Sequence, residues 1–267
     1  MGKIIAICNQ KGGTGKTTTA INLASSLALS GKRILLVDVD PQGNTTSGLG
    51  IDKNSLKSSI YHGLLNHVPV SEIILKTQVS NLELVPSNID LSGAEIELVS
   101  LDNREKQLRN ALEPIRSLYD FILIDSPPSL GLLTLNSLVA CDSIIIPIQC
   151  EFYALEGVTQ LVKTIKLIKE RLNPNLEVEG VLLTMADFRT NLTSEVINEI
   201  RVFFKERVYQ TVIPRNIRLS EAPSFGKPVI LYDKHSIGAK RYEELAQEVL
   251  RLESAASEIQ NQEVAHE

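Results

Sequence analysis

The feature that most limits what this chain can fold into is Gln10-Lys11-Gly12-Gly13-Thr14-Gly15-Lys16-Thr17, set between an apolar run and an amphipathic segment. The run before it, Ile4–Cys8, contains no polar residue and has the length of a strand buried on both faces. After it, Ala20, Leu23, Ala24, Leu27 and Ala28 recur at helical spacing, and Gly31 stands where a helix end takes a left-handed residue. A strand, a glycine loop and a helix start, in that order, form an anion site. The glycines let backbone N–H groups turn inward, and the helix dipole adds positive potential.

The rest of the chain repeats this alternation. Apolar runs at Ile34–Val37, Leu82–Val85, Phe121–Ile124, Ile144–Ile148 and Val181–Thr184 read as further strands. Asn103–Ser117, Leu155–Arg171, Ser194–Glu206 and Ala239–Leu252 read as helices with one apolar stripe. The pattern predicts a single α/β domain over residues 1–252, with a mostly parallel, twisted central sheet and helices on both faces. At 267 residues and 43% apolar content the chain can fill one such core, and no linker-like stretch divides it. Gln42–Ser59, rich in Gly, Asn, Ser and Thr, is expected to be a long loop after the second strand. Residues 253–267 carry Glu253, Glu258, Glu263 and Glu267 with no Lys or Arg, and are expected to be a disordered acidic tail. Cys8, Cys141 and Cys150 lack metal-type spacing and lie in or beside apolar runs, which fits small hydrophobes in a reducing cytoplasm. Neither a signal-peptide core nor a membrane-spanning apolar run is present, so a soluble, unexported protein is expected.

The loop suits nucleotide phosphates: Lys16 is placed to reach the β and γ phosphates and the Thr17 hydroxyl to ligate Mg²⁺. It departs from the ordinary pattern, because Gln10 stands in place of the first glycine and a second lysine, Lys11, precedes Gly12. Asp125 ends the run Phe121–Ile124, the position of a carboxylate that holds Mg²⁺. Asp38 and Asp40 end the second strand on one side, two residues apart. One of them orients the attacking water in this reading. Asp40 is assigned that role with Asp38 in support; reversed or shared roles, or simple backbone hydrogen bonding at a strand end, remain open.

Lys11-Gly12-Gly13-Thr14-Gly15-Lys16-Thr17-Thr18 resembles the deviant Walker A box of the ParA/MinD ATPases. Val37–Asn44, Asp125–Ser129, Glu151–Gly157 and Val212–Ser224 are similar to corresponding blocks of chromosomal ParA (Soj) partition proteins, and the likeness runs from about Lys3 to about Leu252. The resemblance implies an ATP-bound homodimer in which Lys11 of each subunit reaches the phosphates held by the other, as an arginine finger does. It implies that Gly12 stays small at the dimer face, that Gly13 to Thr18 hold ATP and Mg²⁺, and that Pro214 and Asn216 lie near the adenine. It also implies slow ATP hydrolysis stimulated by a ParB-like centromere-binding protein, and nonspecific binding of double-stranded DNA on the nucleoid.

The sequence offers an independent check on DNA binding. Ten basic residues lie between Arg189 and Arg241 against five acids, so this segment carries +5 while the whole chain carries −5 and the remainder −10. An ordinary solvated helix face could produce the same bias. Arg189 and Arg218 match DNA-contact positions of the resembled family; Lys227, Lys234, Lys240 and Arg241 are further candidates on charge. A MinD-like membrane-associated regulator would be expected to end in a basic amphipathic helix, which this acidic C-terminus does not supply. A metabolic ATPase of the same superfamily shares the loop and is opposed mainly by the Pro214–Ser224 block.

Overall fold

A computed structural model describes residues 2–65, 67–151 and 154–264, with side chains for the same residues except 154–156 and 256–264. Eight strands form one sheet: β1 (Lys3–Ile7), β2 (Ile34–Asp38), β3 (Leu75–Lys76), β4 (Leu82–Val85), β5 (Phe121–Asp125), β6 (Ser143–Gln149), β7 (Glu177–Ala186) and β8 (Val208–Pro214). Their spatial order is β3-β4-β2-β5-β1-β6-β7-β8. Every pairing is parallel except that of β3 with β4, a two-residue antiparallel edge.

Strand pleating divides the core into two layers. Ile5 and Ile7 of β1 face one side with Ile34, Leu36, Leu123, Ile145 and Leu182. They are covered there by Leu23 and Leu27 of α1 (Lys16–Leu29) and by residues of the terminal helix. Ile4, Ala6, Leu35, Val37, Ile122 and Ile124 form the opposite layer. The expected single α/β sheet with helices on both faces is thus observed.

The loop after β2 is shorter and more ordered than expected: α2 (Asn44–Gly48) begins four residues after Asp40. The expected helix at Asn103–Ser117 starts late, as α3 (Gln107–Leu112), and tightens into a 3₁₀ turn over Glu113–Leu118. Pro114 removes an N–H donor there. The helices α4 (Leu132–Ala140), α5 (Ala154–Arg171), α6 (Asn191–Phe204), α7 (Ile217–Glu221) and α8 (Ile237–Val264) complete the positions needed below.

Residues 253–267 are the stretch expected to be a disordered acidic tail. The backbone of α8 continues to Val264 because this stretch is rich in Ala, Glu and Gln, which favour helix, and has neither Gly nor Pro. Residues 265–267 of that tail, like Phe152 and Tyr153 of the quoted Glu151–Gly157 block, lie outside the described residues.

One contact joins distant segments. Gly50 (φ +83°) and Gly226 (φ +61°) meet backbone to backbone, and a Cβ on Gly226 would lie 2.6 Å from the Gly50 Cα. The Gln78 side-chain amide clasps both sides of this contact, donating to the carbonyls of Leu49 and Gly226.

Candidate nucleotide site

Sheet order brings the chemistry together. β5 lies between β2 and β1, with Asp38 opposite Asp125 and Ile7 opposite Asp125. The loop leaving β1 and the carboxylates ending β2 and β5 therefore share one rim of the sheet.

Gly13 (φ +73°) and Gly15 (φ +88°) give the loop its left-handed turns, and Gly15 is the N-cap of α1. The loop is braced from outside. The Asn9 amide donates to the Pro147 carbonyl at 2.7 Å while its oxygen accepts the Lys11 amide at 3.0 Å. Thr184 Oγ1 donates to the Thr14 carbonyl at 2.9 Å. Lys16 is buried, and its ammonium donates to the Lys11 carbonyl at 3.3 Å. Burial lowers the Lys16 pKa from its ordinary value, against the opposing pull of Asp125 and Asp40. Lys11 behaves differently. Its side chain is 41% exposed and pairs with Glu151 at 3.4 Å.

Asp125 is fully buried. Its Oδ2 accepts the hydroxyls of Thr17 at 2.8 Å and Thr45 at 2.7 Å, whereas Oδ1 has no hydrogen-bond partner among the described residues. Burial, with the Asp40 charge adding to it, pushes this carboxyl up to about 6. A buried carboxylate oxygen with no donor is the kind of group that a bound cation would satisfy. The Thr17 hydroxyl beside it is the second ligand such an ion would take, and no cluster of three acidic, His or Cys ligands occurs among the described residues. That sparse set suits Mg²⁺, which keeps several waters and takes oxygens from phosphate.

Asp38 and Asp40 are brought together but are not equivalent. Asp38 is fully buried and accepts the amides of Asp40 and Thr46 and the Thr46 hydroxyl. Burial beside Asp125 pushes it up to about 7. Asp40 retains 9% exposure, and its Oδ1 accepts the Gln42 amide at 2.9 Å. Pro214 and Asn216 line a cavity of about 120 Å³ with Gly15, Thr18, Thr184, Met185 and Tyr242, so the structure sets them beside the phosphate loop. Thr19 points into the core, bonded to the Tyr242 hydroxyl at 3.1 Å.

The basic candidates lie outside the nucleotide pocket, in the β7–α6 loop and from α7 to the start of α8. Arg189, 86% exposed, is paired with Asp187, while Arg218 pairs with Glu221 and Asp233. Arg241 pairs with Glu244, and together with Lys240 it lines a cleft that also holds Glu243 and Glu248. That acidic company weakens the case for Lys240 and Arg241. Among the described residues Lys227 and Lys234 form no ion pair.

Sequence reasoning missed Asn9, Thr45, Thr46, Ser87, Glu151 and Thr184 as parts of this arrangement. The pair Thr45-Thr46, three residues after the Pro41-Gln42 turn, was the available signal for two of them.

A glycine loop at a helix start, a lysine within it, and strand-end carboxylates beside it on a parallel sheet define a P-loop nucleotide-hydrolase class. Comparison with known proteins narrows that class. Residues 2–178 match the family model described as AAA domain. The chain is 59% identical over 249 residues to the sporulation initiation inhibitor protein Soj of Bacillus subtilis, covering 93% of this chain and 98% of that one. It is 55% identical to the chromosome partitioning protein ParA of Myxococcus xanthus, covering 96% and 91%. Cobyrinic acid a,c-diamide synthase of Mycobacterium smegmatis, solved with ADP and magnesium, superposes with a TM-score of 0.85 at 37% identity, covering 96% and 97%. The chain belongs to the ParA/Soj family of deviant Walker A ATPases.

Proposed function

We propose that this protein is an ATP-hydrolysing DNA-partition switch: ATP binding with Mg²⁺ assembles two subunits, the dimer holds DNA without sequence preference, and hydrolysis releases it. The observation that carries the reading is the contrast between the two loop lysines. Lys16 is buried against its own loop, whereas Lys11 is half exposed and, among the described residues, its ammonium is held only by a 3.4 Å pair with Glu151. An exposed ion pair of that length is worth about 0–1 kcal/mol, so Lys11 can leave it for a phosphate on a second subunit.

In this reading the amides of Gly13 to Thr17 and the Lys16 ammonium bind the phosphates, and Pro214 and Asn216 flank the base. Thr17 and Asp125 would hold Mg²⁺, which when bound neutralises charge developing on the transferred phosphoryl group. Asp40 accepts a hydrogen bond from the attacking water and sets its line of approach. Lys11 of the second subunit stabilises the transition-state charge, which couples hydrolysis to assembly.

Arg189 and Arg218 are the leading DNA contacts, with Lys227 and Lys234 supporting them and Lys240 and Arg241 at the margin. Phosphate contacts of this kind weaken steeply with salt and read no sequence. The activator is a ParB-like protein bound to its DNA site, and the working location is the nucleoid in the cytoplasm. Among the described residues no helix is long and apolar enough to cross a membrane.

An amide-synthase reading has the Mycobacterium smegmatis structure behind it at 37% identity, against 59% for the Soj relative. ATP turnover measured alone, with plasmid DNA, and with a ParB-like protein on its site decides between them. Stimulation by both ligands together is expected; a rate indifferent to both would overturn the partition reading.

A further inference from the structure

The short helix α2, which follows β2, carries a threonine that the roles above leave unused. Thr46 is fully buried. Its hydroxyl donates to Asp38 Oδ2 at 2.7 Å, and its amide donates to the same oxygen at 2.9 Å. The hydroxyl oxygen also accepts the Ser87 amide, from the loop after β4, at 2.9 Å. From this junction two bonds run to one residue. Asp38 Oδ1 accepts the Asp40 amide at 3.2 Å, and Ser87 Oγ donates to the Asp40 carbonyl at 2.8 Å. The Asp40 amide is thus held by a carboxylate that Thr46 bonds directly, and the Asp40 carbonyl by the side chain of a residue whose backbone amide Thr46 accepts, beside the Gly43 amide that donates to the same carbonyl at 2.9 Å.

We propose that Thr46 is a positioning residue for hydrolysis: acting through Asp38 and Ser87, it fixes the Asp40 backbone and so aims the Asp40 carboxylate at the attacking water. The proposal rests on the reading of Asp40 as the water-orienting group. A hydroxyl suits the task because it donates to one neighbour and accepts from another at once, which no apolar side chain of the same shape can do. Without it Asp38 Oδ2 keeps one donor where it had two, and the Ser87 amide loses its acceptor inside the protein. The Asp40 carboxylate itself has one loop anchor, the Gln42 amide, so a shift of its backbone passes directly to its oxygens.

A purely structural threonine would lower the folded fraction, and so nucleotide binding and turnover together. A positioning threonine lowers turnover per bound nucleotide while leaving affinity alone. The test is single-turnover hydrolysis of prebound Mg-ATP by the full chain, with DNA present, for Thr46→Val, Thr46→Ala and Thr46→Ser, each rate normalised to bound nucleotide. The valine and alanine variants should slow by about 10- to 100-fold with ATP affinity within about twofold, and serine should restore the rate to within about threefold of wild type. Alanine removes the hydroxyl without placing a branched methyl beside Asp38, so it decides the matter if the valine variant does not fold. Wild-type rates per bound ATP in the valine or alanine variant, or serine as slow as either, would overturn the proposal. Asp40→Ala is run in parallel. If it hydrolyses normally, the assignment of Asp40 fails; if it is inert while Thr46→Val is not slowed, the Thr46 proposal fails alone.

Discussion

Replacing Asp125 with Asn should change stability in a way that depends on pH, and the size can be worked from the site. Asp125 is fully buried with Oδ1 unpartnered, and its carboxyl is pushed from the ordinary 3.8 to about 6. Because the folded pKa is raised, the fold keeps a proton that the unfolded chain has already lost. The cost to the folded state is therefore absent below 3.8, grows through the interval and is complete above about 6. Linkage gives about 1–2 kcal/mol at about pH 5 and about 3 kcal/mol at about pH 7.5. Asparagine removes this titration and keeps an oxygen for the Thr17 and Thr45 hydroxyls. Its unpartnered amide adds about 1–3 kcal/mol of cost, independent of pH. The difference between the two pH values cancels that constant.

Relative to wild type, Asp125→Asn should therefore gain about 1–2 kcal/mol between about pH 5 and about pH 7.5. Loss of the Asp125 charge also eases ionisation of Asp38, which acts in the same direction. Equilibrium urea unfolding of both proteins, without nucleotide and with EDTA, measures the gain. A difference that is flat with pH, or that moves against the variant as pH rises, would refute the account of Asp125 as a carboxylate awaiting a cation. Adding Mg-ATP should reverse the order at the higher pH, since only wild type gains binding free energy from the metal.

Asp40→Ala should bind ATP, dimerise and remain on DNA, because only hydrolysis is lost; size-exclusion chromatography with ATP showing a monomer would remove Asp40 from that role. Lys11→Ala should keep ATP affinity within about threefold, since an exposed pair is worth little, yet fail to dimerise with ATP by light scattering. The double variant Arg189→Glu with Arg218→Glu should lose at least about tenfold in DNA affinity while nucleotide binding is unchanged; unaltered retardation of plasmid DNA argues against this surface. Wild-type stabilisation by Mg-nucleotide should shrink below about pH 6, where protons compete for Asp125, and a melting-temperature shift that is constant from pH 5 to pH 8 contradicts it.

The central strands were legible because each is an apolar run buried on both faces, and the phosphate loop because its glycines separate a strand from a helix. β8 was not recognised as a strand. Val208–Pro214 is interrupted by the polar pair Gln210-Thr211, lies at a sheet edge and ends in proline, so it lacks the continuous run that marked the others. The helix α4 was missed for the opposite reason: Leu132–Ala140 buries Asn136 and Ser137 along with its leucines, which blurs the stripe that periodicity detects. In the site, Lys16, Thr17 and Asp125 follow from spacing along the chain. The bond from Thr45 to Asp125 does not, since it joins the turn after β2 to the end of the neighbouring strand β5, and the bond from Thr46 back to Asp38 does not, since it depends on how that turn folds onto the end of its own strand.

The meeting of Gly50 with Gly226 has a consequence for how this protein can vary. Most tight contacts can be repaired after a substitution by trimming the neighbour, but here both partners already lack a side chain, and both adopt left-handed backbone. An enlargement at either position has no second-site remedy within the contact itself. The stretch that follows Asp40 and the segment that carries Arg218 are thereby bound to a shared history: a lineage can redraw the charges on one or the hydroxyls of the other, but it must keep the same two bare positions where they touch.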